Sequence, residues 1–229
     1  MININNLNFK YSQTPILNNI NLTIQSDEIV GIVGESGSGK TTLAQIILGL
    51  LPVSQEQYTN NDFRLLPIFQ HAYDSFNPKF KMSKSLEEAI KYHRDSNSYE
   101  VRQRMHILMK NMHLDEKLLN RFPDQLSGGQ LQRFNTIRTL MLAPDMLICD
   151  EITASLDVIA EQSMIKVLKQ YYADTHKGML LISHDLAFLN QIVERLIVMK
   201  NGEIIDDFNI KLLFDKQRHE YTKQLLAIY

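Results

Sequence analysis

GESGSGKTT, residues 34–42 (Gly34, Glu35, Ser36, Gly37, Ser38, Gly39, Lys40, Thr41 and Thr42), fits the template Gly-x-x-x-x-Gly-Lys-[Ser/Thr]. Before it runs EIVGIV, Glu28 to Val33, an apolar and β-branched stretch that predicts a strand; after it, Lys40 to about Leu50 predicts a helix that Pro52 closes. Strand, glycine loop and helix are the context this template requires. The glycines let successive N–H groups turn toward a phosphate, and the helix adds the positive end of its dipole. Lys40 is then a point charge for the β- and γ-phosphates, and the Thr41 hydroxyl is placed to ligate Mg2+. The expected ligand is a nucleoside triphosphate with Mg2+.

A second phosphate-facing segment lies far along the chain. LSGGQ, residues 126–130, puts Ser127, Gly128, Gly129 and Gln130 at the start of a helix expected to run to about Leu142. One cradle makes a nucleotide binder. Two cradles, too distant in sequence to serve one pocket alone, suggest that two chains share two nucleotides.

Outward from these motifs, strands and helices alternate, which predicts an α/β fold with a mostly parallel sheet. Ile2, Ile4 and Leu7 to Phe9, then Leu22 and Ile24, read as short strands of an antiparallel edge around the polar turn 12–15. Residues 54–62 are polar with no helical stripe, and Arg64 to Phe69 returns to strand. Ser83 to Arg94 carries Leu86, Ala89 and Ile90, and Tyr99 to Met112 carries Val101, Met105, Leu108, Met109 and Met112, all at helical spacing. These two helices predict a separate helical lobe with the methionines in its core. Met146 to Cys149 predicts a buried strand, Val158 to Tyr172 a helix, Met179 to Ser183 a strand, and Leu196 to Met199 with Glu203 to Asp206 a hairpin around Asn201-Gly202. The expected division is one domain over 1–229, with an antiparallel and loop region at 1–70, a helical lobe at 71–143 and the remaining core at 144–229.

The 229 residues carry 24 Lys plus Arg against 26 Asp plus Glu, so total charge gives no case for nucleic acid. The single cysteine, Cys149, lies in an apolar strand and reads as a core residue rather than a reactive thiol. The N-terminus has no long apolar region, and the longest apolar stretches fall short of the ~18–20 residues of a membrane helix. The expected location is cytosolic, with membrane work done through partners.

Two acids follow the strand at Met146: Asp150 and Glu151. A strand end of this kind is where an open α/β sheet places its ligand crevice. Beside a phosphate loop, Asp150 is the natural partner of Mg2+ and Glu151 sits where it can polarise a water for attack on the γ-phosphate. Gln70 at a strand end and His184 in Ser183-His184-Asp185 are, taken singly, an ordinary surface amide and a capping or packing histidine. Their order relative to the other motifs changes that.

The series GESGSGKT, Phe69-Gln70, LSGGQ, LICDE, Ser155-Leu156-Asp157 and ISHD resembles the nucleotide-binding domain of ATP-binding cassette (ABC) proteins across essentially the whole chain. The resemblance implies a P-loop NTPase fold with a mostly parallel core sheet, an antiparallel β subdomain and a helical lobe. It makes Tyr11 the aromatic that stacks on adenine, and Gln70 the glutamine that reaches the metal or the attacking water. It makes Ser127 to Gln130 the signature, Asp157 the acid of the loop between the two sites, and His184 the histidine contacting the γ-phosphate. Such domains pair head to tail, so that the phosphate loop of one and the signature of the other enclose each ATP.

FQHAYDSFNP (69–78) and RHEYTKQLLAIY (218–229) look like the ATPases of peptide and nickel importers. CDEITASLDVIAEQ and GGQLQRFN look closest to the second ATPase of bacterial nickel or metallophore (opine-type) importers, with di- and oligopeptide importers as the alternative. The implied partners are a second ABC ATPase subunit (a sister chain or another copy), two transmembrane permease subunits, and indirectly an extracellular solute-binding protein. No nucleic acid is expected, and the implied location is the cytoplasmic face of the membrane. The permease contact is expected near Gln70 to Pro78 and Arg121 to Gln125. A non-transport assembly ATPase of single-cassette size is the competing reading, and a small-molecule kinase leaves LSGGQ and His184 without a role.

The chain departs from the pattern at Ile152, Ala154-Ser155, His71, Glu220 and Leu131. Its 42–69 stretch is short for the family, which implies a trimmed antiparallel subdomain. It lacks a cysteine-containing tail, so no iron–sulfur cluster is expected.

Overall fold

The computed structural model describes residues 1–92, 98–154 and 156–227. They fall into two compact units: residues 1–67, 145–151 and 177–229 form the first, and residues 68–144 and 152–176 the second.

The first unit opens with β1 (Ile2–Tyr11) and β2 (Thr14–Ile24), continues through β3 (Ile29–Val33) and α1 (Lys40–Ile47), and adds β4 (Tyr58–Thr59) and β5 (Leu65–Ile68). β1 and β2 are far longer than the short strands expected from their sequence, because asparagines absorb the irregularities. Asn6 and Asn19 take left-handed φ at breaks in the β1–β2 register, and the Asn6 N–H donates to Asn21 Oδ1. β4 arises in the polar stretch where no element was expected, and completes an antiparallel sheet ordered β2-β1-β4.

α1 ends three residues before the expected Leu50. Gly49 turns left-handed at φ 71°, its N–H bonds the Ile46 carbonyl, and the Leu50 N–H bonds the Gln45 carbonyl. This is a Schellman stop, so the glycine and not Pro52 closes the helix.

In the second unit, α2 (Met82–Tyr92) and α3 (Ser98–Asn111) precede α4 (Gly128–Leu140), which packs against both. Of the expected apolar stripes, Leu86, Ile90, Val101, Met105, Met109 and Met112 are buried, while Ala89 and Leu108 are half-buried. His93 and Arg94, the expected end of α2, lie outside the described residues. After β6 (Met146–Asp150) of the first unit, α5 (Val158–Thr175) returns to the second and packs on α3 and α4. The expected 144–229 segment is thus divided between the units.

β7 (Gly178–Ile182), α6 (Leu186–Asn190), β8 (Arg195–Lys200), β9 (Glu203–Asn209) and α7 (Glu220–Leu226) complete the first unit. Its larger sheet is ordered β5-β6-β7-β3-β8-β9, with β3, β6, β7 and β8 parallel and β9 antiparallel. β3, β6 and β7 are buried along their whole length, as parallel strands covered on both faces must be. Ile32, Ile148, Leu180 and Ile182 pack with Leu43, Ile46 and Ile47 of α1 and with Ile4, Leu17 and Leu22 of the antiparallel sheet. Each such side chain stabilises the fold by about 1.5–3 kcal/mol through burial. Cys149 is buried in β6, and burial pushes its thiol pKa up, consistent with a core role. Among the described residues, no helix is long and apolar enough to cross a membrane.

Candidate active site

The loop 34–39 runs from β3 into α1 with little room for a side chain at Gly34 or Gly39, and with open space at Gly37. A Cβ at Gly34 would stand 2.2 Å from the Met199 carbonyl oxygen and 2.8 Å from Ser38 Oγ, so no other residue fits without moving backbone. Gly39 caps α1 at φ 101°, a left-handed conformation that favours glycine. The turn of the β8–β9 hairpin also braces the loop. Asn201 and Gly202 both take positive φ, as a tight hairpin requires, and the Gly202 N–H donates to the Ser38 carbonyl at 3.1 Å.

Lys40 is buried, with Nζ donating to the carbonyls of Gly34 (2.7 Å) and Glu35 (2.8 Å). Burial lowers its pKa, and the charges of Glu151 and Asp150 work in the opposite direction. The ammonium therefore borrows neutral carbonyls, acceptors it can exchange for phosphate oxygens.

Asp150 is the last residue of β6, paired in register with Ile182 of β7. Burial raises its pKa; a hydrogen bond from Thr41 opposes the rise, and the neighbouring Glu151 charge adds to it. Its Oδ1 is buried with no hydrogen-bond partner among the described residues. A buried, unsatisfied carboxylate oxygen beside a hydroxyl is costly in isolation and matches the oxygen donors that Mg2+ prefers. The residues present fit the cation.

Glu151 turns out of the strand at φ 50°, a left-handed conformation that costs a non-glycine residue on the order of 1 kcal/mol or more. Its N–H is held by the Ile182 carbonyl at 2.9 Å, and its Oε2 lies 2.8 Å from His184 Nδ1. The His184 side chain is 69% exposed and that of Glu151 15%. His184 follows β7 through Ser183, whose N–H bonds the Ile32 carbonyl of β3. Three adjacent parallel strands thus deliver the loop, the two acids and the histidine from their C-terminal ends.

Tyr11, at the end of β1, is half exposed; its hydroxyl donates to Gln45 Oε1 of α1 at 3.3 Å and its ring meets Phe9 edge to face. The aromatic face is available beside the helix that the loop begins.

The remaining expected residues belong to the second unit. Ser127 caps α4: its Oγ accepts the Gln130 N–H at 3.2 Å, and Gln130 Oε1 accepts the Ser127 N–H at 3.0 Å. This capping box leaves the first-turn N–H groups of Gly128 and Gly129 without intrahelical acceptors, at an exposed helix start. Asp157 caps α5, its Oδ1 accepting the Ala160 N–H at 2.8 Å. Ser155 lies outside the described residues.

Gln70 is exposed, and the carbonyl just before it is held from α4: Phe69 O accepts from Gln132 Nε2 at 3.3 Å and from Asn135 Nδ2 at 3.5 Å. Asn135 in turn accepts from Arg138, which also donates to the Ser75 carbonyl and lies over the Phe76 ring. The helix that begins with the signature therefore fixes the course of residues 69–76. Sequence reading missed Gln132 and Arg138 because polar residues on a helix normally read as its solvent face; Gln132 is instead completely buried and Arg138 half-buried.

Comparison with known proteins follows the same lines. The sequence profile described as ABC transporter matches residues 17–154. The nickel import system ATP-binding protein NikE of Staphylococcus aureus (strain MRSA252) is 45% identical over 232 residues, covering 100% of this chain and 99% of that protein. An ATP-binding cassette solved as a dimer in a post-hydrolysis state with ADP and Pi superposes with a TM-score of 0.78 at 26% identity, over 92% of this chain and 99% of the other. The ATP-binding subunit of an ABC transporter reaches 0.86 at 20% identity over 99% and 98%, a likeness of fold. The chain belongs to the ABC transporter family, as one of its ATP-binding and ATP-hydrolysing proteins.

Proposed function

We propose that this chain is the ATP-hydrolysing subunit of a bacterial importer of nickel or of metal–metallophore complexes. The observation that carries the reading is the end-to-end 45% identity with a nickel import ATP-binding protein. Working at the cytoplasmic face of the membrane, it pairs with a sister ATPase or a second copy and drives two permease subunits served by an extracellular solute-binding protein.

In this reading Gly34 to Thr42 cradle the phosphates of ATP, Lys40 exchanges its carbonyl partners for phosphate oxygens, and Tyr11 stacks on the adenine. Thr41 and Asp150 would hold Mg2+, which when bound neutralises charge on the phosphate oxygens. Glu151 takes the proton of the attacking water, and His184 orients Glu151 while reaching for the γ-phosphate. The amide of Gln70 serves the metal or the water. Ser127, Gly128, Gly129 and Gln130 close on the partner's ATP with helix-start N–H groups, and Asp157 lies in the loop that links the two sites.

Cargo selection rests with the binding protein and permease, so the test is made on the whole system. A strain lacking this gene is expected to lose energy-dependent uptake of radioactive nickel, with or without an added metallophore, and to recover it on complementation. Unchanged nickel uptake together with lost dipeptide uptake would overturn the cargo and favour a peptide importer.

A further inference from the structure

The C-terminal helix reaches the nucleotide loop. Tyr221, on α7, is 4% exposed, and its hydroxyl accepts the Glu35 N–H at 3.2 Å across 186 residues of sequence. The Glu35 carboxylate is near enough to help raise the pKa of the phenol. Lys200 Nζ lies 4.2 Å from the ring centroid, so the ring is fixed by the end of β8 as well.

Three contacts fasten α7 itself, and all meet at Asp206 of β9: Oδ1 pairs with Arg218 at 3.1 Å, and Oδ2 accepts the His219 N–H at 3.0 Å and Thr222 Oγ1 at 2.9 Å. This cluster is buried to a similar degree on both sides, with Arg218 and Asp206 each 13% exposed at the side chain. The helix is therefore a clamp built on β9, and its tip is a tyrosine on residue 35.

Glu35 is held from both of its peptide faces, its N–H by Tyr221 and its carbonyl by Lys40 Nζ. When Lys40 turns toward phosphate oxygens, the carbonyl keeps the Ser38 N–H at 3.2 Å, a contact from within the loop, and Tyr221 holds the residue from outside it. We propose that Tyr221 is a positioning residue for ATP binding: it keeps Glu35, and with it the N–H groups of the loop, in the arrangement that receives phosphate while Lys40 changes partners. Burial and the Glu35 carboxylate raise the phenol's pKa, so the hydroxyl that accepts the Glu35 N–H stays neutral at any physiological pH.

The inference rests on residues 34–42 being the ATP site, and the experiment separates the two. The full-length chain is titrated with a fluorescent ATP analogue in the presence of Mg2+, comparing wild type, Tyr221→Phe, Thr222→Val and Lys40→Ala, with thermal unfolding of each nucleotide-free protein alongside. Tyr221→Phe keeps the ring on Lys200 and removes only the hydroxyl. It is expected to weaken binding roughly 3- to 10-fold, the range for one neutral hydrogen bond, with little change in Tm. Thr222→Val loosens the clamp without touching the loop and is expected to weaken binding less, in the same direction. Wild-type affinity in Tyr221→Phe, while Lys40→Ala loses binding, would overturn the positioning role and leave the site intact. Wild-type affinity in Lys40→Ala would overturn the site itself.

Discussion

His184 Nδ1 and Glu151 Oε2 stand 2.8 Å apart, joined across two neighbouring parallel strands whose ends they extend. The pair is made possible by the left-handed backbone of Glu151, which turns the carboxylate out of β6 instead of letting it continue the strand's alternation. Replacement by glutamine preserves size and a hydrogen bond to the histidine but removes the base. Glu151→Gln is expected to retain ATP binding and to slow hydrolysis by about 10²-fold or more, measured as phosphate release by the assembled ATPase. Undiminished turnover would remove Glu151 from its role.

Asp150 carries the clearest electrostatic consequence. Its pKa is raised from 3.8 in the fold, chiefly by burial, so at intermediate pH the folded state holds more protons than the unfolded one. Stability contributed by this group therefore falls as pH rises through the unfolded and then the folded value. Asp150→Asn is expected to leave the Tm of the nucleotide-free protein unchanged at low pH and to hold or raise it near pH 7, by up to about 3 °C, the equivalent of about 1 kcal/mol in a domain of this size. The same variant is expected to lose the extra thermal stability that Mg2+ adds to ATP-bound protein. A fall in Tm at pH 7 in the absence of nucleotide would contradict this account of the site.

Gly34 is tested by space rather than charge. Gly34→Ala drives a methyl to 2.2 Å from the Met199 carbonyl oxygen, a backbone atom of β8 that cannot rotate away. The expected cost is about 1–3 kcal/mol of stability together with loss of ATP affinity, read from denaturant unfolding and nucleotide titration. Wild-type behaviour in both would mean that β8 does not brace the loop.

Much of this was legible in the sequence, and the reason is locality. The loop template, the apolar strand before it and the helix start at Ser127 each depend on residues within a few positions of one another. Asp150 and Glu151 were readable because a short apolar run had to end at them. What stayed hidden depends on distant partners. Tyr221 meets Glu35 only because β9 carries α7 back to the loop, and the Gly202 N–H meets Ser38 only once β3 and β8 lie side by side. α6 and α7 were missed because five and seven residues are too few for a helical stripe to declare itself, and their caps, Asp185 and His219, resemble ordinary loop residues. α1 was overextended because Pro52 is a loud stop signal and Gly49 a quieter one that acts first.

The signature segment is separable from its own helix cap by one substitution. Aspartate is as good an N-cap as serine, so Ser127→Asp is expected to keep α4 and the Tm within about 2 °C, while presenting a like charge to a partner's γ-phosphate. Binding of ATP to the variant's own loop is expected to stay within about 2-fold of wild type, and hydrolysis by the assembled pair to fall by about 10²-fold or more. Parallel loss of binding and stability would instead mark Ser127 as a folding residue alone.

The most direct test is the rate of ATP hydrolysis per chain, followed over a range of concentrations in which light scattering separates monomer from dimer, with and without the sister ATPase. If each site is completed by the partner's signature, the rate per chain climbs with the dimer fraction and vanishes at dilutions that leave only monomer. A full rate that does not change with concentration, in a sample that scattering shows to be monomeric, would contradict it.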